Sequence, residues 1–252
     1  MFDTFFYNPI YNLVILLSNY IVDAGIVVII TTIIIKFLLF PFYKKQIHNQ
    51  IAMKKAKPEL DNVKEKYKNK NLSKEEKQAI AMETMGLYKK YGIRPFSMIL
   101  LLILQIPILF ALYWVFYKGG LPEIDSEVLY SFVSEPKEIV MNFLGLFPLK
   151  ESSIFLAALA GITQFLHFSI SMPDVKFSDI KKKGGKMSED FANSMQVNLK
   201  FGLPIFIFFI LATALNSAVA LYWITSNVFM TTQEYFMRNK KAEIKELDKN
   251  NK

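Results

Sequence analysis

Residues 24–42 read AGIVVIITTIIIKFLLFPF, and this stretch decides the fold class. Apart from Thr31, Thr32 and Lys36 it holds only apolar side chains, one glycine and one proline. A helix of about 20 such residues covers the roughly 30 Å hydrocarbon core of a bilayer. A soluble domain has no use for so continuous a run. Working outward, residues 96–117, 152–172, 197–213 and 215–236 repeat the pattern. With 23–42 they predict an all-α polytopic membrane protein with five transmembrane helices. The composition agrees, with 52% hydrophobic residues, 23 Phe and 12 Tyr among 252.

The segments between the spans differ sharply from them. Residues 1–22 are apolar and aromatic but carry Asn8, Asn12 and Asn19, which break a spanning pattern. They are expected to form an external amphipathic helix in the membrane interface. With no basic start and no small-residue cleavage site, they do not read as a removable signal peptide. Residues 43–95 hold 14 Lys/Arg and six Asp/Glu, and they predict a cytoplasmic helical hairpin. In it, Ser73 and Glu76 have the spacing of a capping box, and Gly92 stands where a left-handed helix end is wanted. The first helix is expected to run to about Lys68, with a turn at 69–72 and a second helix over 74–91. Residues 118–151 are expected as an external loop with an amphipathic stretch at 139–147. Residues 173–196 form a basic loop containing Lys181, Lys182, Lys183 and Lys186, and 237–252 a charged, frayed tail.

Lys and Arg also set the orientation. Of the 30, 26 fall in 43–95, 173–200 and the tail, while Lys118, Lys137 and Lys150 fall on the other side. Five spans with the N-terminus outside and the C-terminus in the cytoplasm satisfy this distribution. The +8 net charge is thereby read as positive-inside bias and affinity for anionic lipids rather than as a specific nucleic-acid site.

Lys36 is the lone charge inside the apolar run of the first span. Such residues usually face protein or a water-filled cavity. The plain alternative is a snorkelling lysine, but side chains lean toward their helix N-terminus, here away from the near cytoplasmic edge. Thr32 lies one turn before Lys36 on the same face. Gln105 in the second span, Thr163, Gln164 and His167 in the third, and Asn216, Trp223, Ser226, Asn227 and Glu234 in the fifth supply further polar groups. Each alone reads as ordinary interhelical hydrogen bonding. Together with Lys36 they read as a hydrated intramembrane groove, with Lys36, Thr32, Gln105, Gln164, Trp223 and Asn227 as its candidate substrate-facing residues.

No catalytic, cofactor or metal site is expected. There is no cysteine, only His48 and His167 as imidazoles, and no nucleotide loop, zinc motif or hydrolytic triad. A small transporter or channel is the alternative class to a protein that handles other proteins, and a passive assembly chaperone is a third.

The order of short motifs resembles the YidC/Oxa/Alb family of membrane protein insertases over nearly the whole chain. They are Asn8-Pro9-Ile10-Tyr11-Asn12, Lys36-Phe37-Leu38-Leu39-Phe40-Pro41, Lys45-Gln46, Met53, Lys57-Pro58-Glu59-Leu60 and Lys66-Tyr67. Leu87-Tyr88-Lys89-Lys90-Tyr91-Gly92, Gln105-Ile106-Pro107-Ile108 and, most specific, Leu221-Tyr222-Trp223-Ile224-Thr225-Ser226-Asn227 follow. The resemblance implies the short bacterial form, without the large external domain. It implies a five-helix bundle whose groove opens to the cytoplasm and lipid. Nascent membrane proteins would be the clients, with the ribosome and a general secretion channel as partners through the hairpin and basic tail, in the bacterial plasma membrane. Members commonly carry Arg at the position of Lys36. Lysine lacks the planar five-donor fork, so the implied role narrows to positive charge and hydration. Leu215-Asn216-Ser217-Ala218 also departs from the family's small-residue and proline turn.

Overall fold

Asp23 starts the helix that holds Lys36. Its Oδ1 accepts from the free amides of Gly25 (2.8 Å) and Ile26 (3.1 Å), so this helix starts at a true N-cap. The computed structural model describes residues 1–67, 73–94, 97–117, 121–172 and 197–250. A π-helical turn, Asp3–Tyr7, leads into α1 (Asn8–Ser18); α2 is Ala24–Leu38, α3 Phe40–Lys66, α4 Lys74–Tyr91 and α5 Ser97–Tyr117. A two-stranded antiparallel ribbon, β1 (Asn142–Phe143) and β2 (Phe147–Pro148), precedes α6 (Ile154–Ser171). A second π-helical turn, Asn198–Gly202, opens α7 (Leu203–Thr213), and α8 is Ser217–Asn250. The turn expected at 69–72 and the basic loop at 173–196 lie outside the described residues.

The bundle is apolar outside and partly polar inside, the reverse of a soluble protein. Phe37, Leu38, Ile154, Phe155, Ile162, Leu166, Ile205, Phe206 and Phe209 are exposed, while Thr31, Thr32, Lys36, Gln164, Ser226, Asn227 and Glu234 are buried. This suits a lipid surround, where apolar side chains need no burial and polar ones must find partners within. Among the described residues, Ile154–Ser171 is by itself long and apolar enough to cross a membrane.

α6 is the central packing element and lies against both α7 and α8, while α8 also packs on α2 and α5. Ala157, Ala160 and Gly161 make this possible by keeping one face of α6 thin. A Cβ built on Gly161 would come within 3.1 Å of the Pro204 carbonyl oxygen on α7, tighter than most real contacts. α1 packs against α2 and α5, burying Tyr11, Val14 and Ile15. Its asparagines fasten the outer loop. Asn12 donates to the Val128 carbonyl (2.9 Å) and accepts from the Tyr130 amide (2.7 Å), and Asn19 donates to the Ser134 carbonyl (2.8 Å). The residues that break the spanning pattern of α1 are thus tertiary contacts.

Two sequence expectations are revised, and a third is given its form. Pro41, expected as a helix breaker to close the span 23–42, stands instead in the first turn of α3, where its missing amide costs nothing, and the break falls at Leu39. α2 and α3 meet there at a 65° bend. The amphipathic stretch at 139–147 is the β ribbon, turned at Leu144 (φ 54°) and Gly145 (φ 71°). It is clamped to the start of α2 by Ala24 N–Val140 O (3.1 Å), Val140 N–Val22 O (2.8 Å) and Leu144 N–Asp23 Oδ2 (2.8 Å). The charged tail from 237 is helical rather than frayed, continuing α8 to Asn250.

α3 and α4 lie antiparallel, tied by Lys66–Glu83 (2.7 Å) and Lys90–Glu59 (2.8 Å). The Ser73–Glu76 capping box is formed, and Gly92 ends α4 in the left-handed region (φ 65°). Hydrogen bonds from Lys90 and then Tyr91 hold the Glu59 carboxyl below its usual range, and Lys66 and then Tyr67 do the same for Glu83.

Candidate functional site: a buried cation among neutral partners

Lys36 is 1% exposed. Its ammonium donates to the Tyr43 hydroxyl at 2.9 Å and to Gln105 Oε1 at 3.1 Å, and Met230 Sδ stands 3.9 Å away. Tyr43 in turn donates to Gln105 Oε1 (3.3 Å), and Gln105 Nε2 donates to the Tyr222 hydroxyl. Four helices therefore meet at one charge: α2 supplies Lys36, α3 Tyr43, α5 Gln105, and α8 Tyr222 and Met230.

The helix break creates this meeting. In an unbroken helix, residues 36 and 43 stand about 10 Å apart along the axis. The 65° bend at Leu39 folds α3 across the end of α2 and lets the Tyr43 hydroxyl reach the ammonium.

The partners are all neutral. An ammonium has three donors; two go to oxygens and the third faces only a thioether, a weak acceptor. The nearest carboxylate on α8, Glu234, is occupied elsewhere, 2.5 Å from Arg238 and hydrogen-bonded by the Ser171 hydroxyl. The charge is solvated but not neutralised, so its field remains available to an incoming polar group.

A second polar seam joins α6 to α8. Trp223 Nε1 donates to Gln164 Oε1 at 2.8 Å, and Asn227 Nδ2 donates to Thr163 Oγ1 at 3.3 Å. Arg238 Nη2 also donates to the Ser171 carbonyl (3.3 Å). Of the six residues expected in the groove, Lys36 and Gln105 come together directly. Gln164 and Trp223 satisfy each other, and Asn227 is taken up by Thr163. Thr32 is buried, but its hydroxyl returns to the Val28 carbonyl of its own helix (2.7 Å). Sequence reasoning missed Tyr43, Tyr222 and Met230. Tyr222 was within reach, since it lies in the most specific motif one residue before Trp223.

No group here is arranged for covalent chemistry. The arrangement can stabilise charge, accept polar groups from water, and offer them partners below the membrane surface.

The sequence profile of the protein family described as 60Kd inner membrane protein matches residues 16–245. The chain is 32% identical to membrane protein insertase YidC 2 of Listeria monocytogenes over all of this chain and 83% of that protein. It is 30% identical to membrane protein insertase YidC of Clostridium tetani over 86% of this chain and 83% of that one. With YidC of Fusobacterium nucleatum it shares 29% identity over 89% of this chain and 91% of the relative. A profile match across most of the chain, and relatives of this identity aligned nearly end to end, place it: the chain belongs to the family of 60Kd inner membrane proteins, the YidC/Oxa/Alb group.

Proposed function

We propose that this protein is a membrane protein insertase and chaperone. It receives nascent hydrophobic segments in a hydrophilic intramembrane groove and releases them sideways into lipid. The observation that carries the reading is Lys36, fully buried and held only by neutral partners, inside a bundle whose large apolar side chains face outward. The naming of its relatives as insertases supports the same reading.

In this reading α2, α5, α6, α7 and α8 are the five spans, with the N-terminus outside. α3 and α4 form a cytoplasmic hairpin and the end of α8 a cytoplasmic basic tail, in the bacterial plasma membrane. A client's short hydrophilic outer tail faces a steep barrier in hydrocarbon, since each unsatisfied polar group there costs several kcal/mol. Lys36, Thr32, Gln105, Gln164, Trp223 and Asn227 line the path, so the tail crosses only part of the bilayer in apolar surroundings. The apolar segment meanwhile moves out along the exposed faces into lipid. No covalent step is required. The basic hairpin and tail would meet anionic lipid headgroups and the ribosome, and a general secretion channel is a further partner.

The test uses purified protein in sealed vesicles with a ribosome-released client carrying a short outer tail. Protease protection of the client and timed crosslinks from positions 36 and 105 to the nascent chain are expected. Solute flux without client insertion would instead establish a transporter or channel.

A further inference from the structure

We infer that Gln233 is a docking point for the main chain of the client, pairing through its side-chain amide with an unsatisfied peptide group at the groove mouth. The inference rests on the insertase reading and adds a ligand class to it: the peptide group itself, independent of client sequence.

The observation is an asymmetry among the polar side chains. Gln105 is bonded at both ends, by Lys36 and Tyr43 at Oε1 and to Tyr222 at Nε2. Gln164 accepts from Trp223 at Oε1, and Asn227 donates to Thr163 from Nδ2. Gln233, at 8% exposure, has no partner for either Nε2 or Oε1. Among the described residues it is the one buried side-chain amide with both ends unpaired. Burying a polar group without partners is costly, and native structures rarely leave one so.

Its position fits an incoming chain. Gln233 follows Met230, which touches the Lys36 ammonium, by three residues on α8. The rise places it about 4.5 Å further toward the end of the helix that carries the basic tail. Ser226, Met230 and Gln233 recur at helical spacing on one side, so the open amide continues the Lys36 face. On α6, His167 Nδ1 is also buried and without a partner, so the seam between these helices keeps further hydrogen-bonding capacity in reserve.

A carboxamide presents one donor face and one acceptor side by side, the complement of a peptide N–H and C=O. A segment becoming helical in the groove carries the matching deficit, because the first four N–H and last four C=O groups of any helix lack intrahelical partners. In an apolar setting those groups are the chief obstacle whatever the side chains are. Lys36 would respond to charge in the client; Gln233 would respond to its backbone. A carrier of unrelated clients needs the second kind of contact.

The chain has no cysteine, so a single Gln233→Cys variant gives an unambiguous crosslinking site. Clients each carrying one cysteine along the apolar segment are inserted in vesicles and oxidised briefly. Disulfides are expected at client positions in the first or last helical turn, with few in its middle. Independently, Gln233→Met is expected to unfold at the same temperature as the wild type or higher, and to slow insertion several-fold for clients with neutral as well as acidic tails. Absence of disulfides, or disulfides spread evenly along the segment, overturns the inference, as does wild-type insertion by a folded Gln233→Met, which would mean the amide only holds water. Failure of the wild type to insert in the same vesicles would sink the insertase reading instead, so the two failures are distinguishable.

Discussion

Replacing Lys36 by methionine separates the charge from the space it fills. A charged side chain near the middle of a membrane helix costs about 3 kcal/mol on insertion scales. Against that, hydrogen bonds from charged groups return roughly 1.5–3 kcal/mol each, and Lys36 makes two, to Tyr43 and Gln105. The sum lies between about zero and about 3 kcal/mol in favour of the lysine. Methionine keeps an unbranched apolar stem and fills most of the volume. It strands no acceptor, because Tyr43 still donates to Gln105 Oε1 and Gln105 still donates to Tyr222. Lys36→Met is therefore expected to remain folded, with thermal unfolding in detergent within about 3 kcal/mol of the wild type. Insertion should fall far more. If the charge lowers the crossing barrier by about 1.4 kcal/mol or more, the rate drops at least roughly tenfold. Lys36→Arg should restore it, since charge is what the site supplies. The assay is the initial rate of client protease protection in vesicles, alongside the melting curve. A folded Lys36→Met that inserts at the wild-type rate refutes the role given to the charge. Outright unfolding would show instead that the ammonium is a structural tie among four helices.

Three further outcomes bear on the scaffold. Gly25→Ala places a Cβ 2.5 Å from Phe143 of the β ribbon; it should destabilise by about 1–3 kcal/mol in thermal unfolding, and Phe143→Ala in the same chain should recover most of the loss. Trp223→Phe removes the donor to buried Gln164 Oε1 and should cost about 1–3 kcal/mol in the same measurement, whereas no loss would mean the seam tolerates an open amide. The α3–α4 pair should depend on pH at both extremes. Glu59 and Glu83 titrate below the ordinary carboxylate value, so their contribution is present above that value and is lost as pH falls through their lowered range. Lys66 and Lys90 titrate above the ordinary lysine value, chiefly through Glu83 and Glu59, so theirs is lost as pH rises through the raised range. Amide exchange in α4, compared with α6, should accelerate at both ends and stay flat near neutrality; an α4 profile that merely parallels α6 would show that the ion pairs hold nothing.

The helical elements were legible because each leaves a local mark: an apolar run, a Ser73–Glu76 capping box, a Gly92 stop. So was the company of Lys36 and Gln105 in one polar setting, since a cation and an amide at mid-depth in separate apolar runs have few other groups to meet. What was not legible depends on where the chain turns. Pro41 marks a helix boundary from either side, and only the 65° bend decides that it opens α3 and delivers Tyr43 to Lys36. The ribbon at 139–147 escaped notice because two-residue strands have no periodicity to read, and α1 borrowed its asparagines for a partner over 100 residues away.

The same consideration separates the groove residues from one another. Gln105, Gln164, Asn227 and Gln233 are alike as letters in apolar helices, and by type all could line a hydrated path. Their availability differs entirely with their partners. Gln164 Oε1 accepts from Trp223, Asn227 Nδ2 donates to Thr163, and Gln105 is bonded at both ends, so these amides tie neighbouring helices together. No anion compensates the Lys36 ammonium, because its partners are neutral, and neither end of the Gln233 amide has a partner among the described residues. In a protein that handles clients of varied sequence, capacity left unused by the fold is what can act on a client. Lys36 and Gln233 are two residues that retain such capacity, linked through Met230, which touches the ammonium and stands three residues before Gln233 on α8.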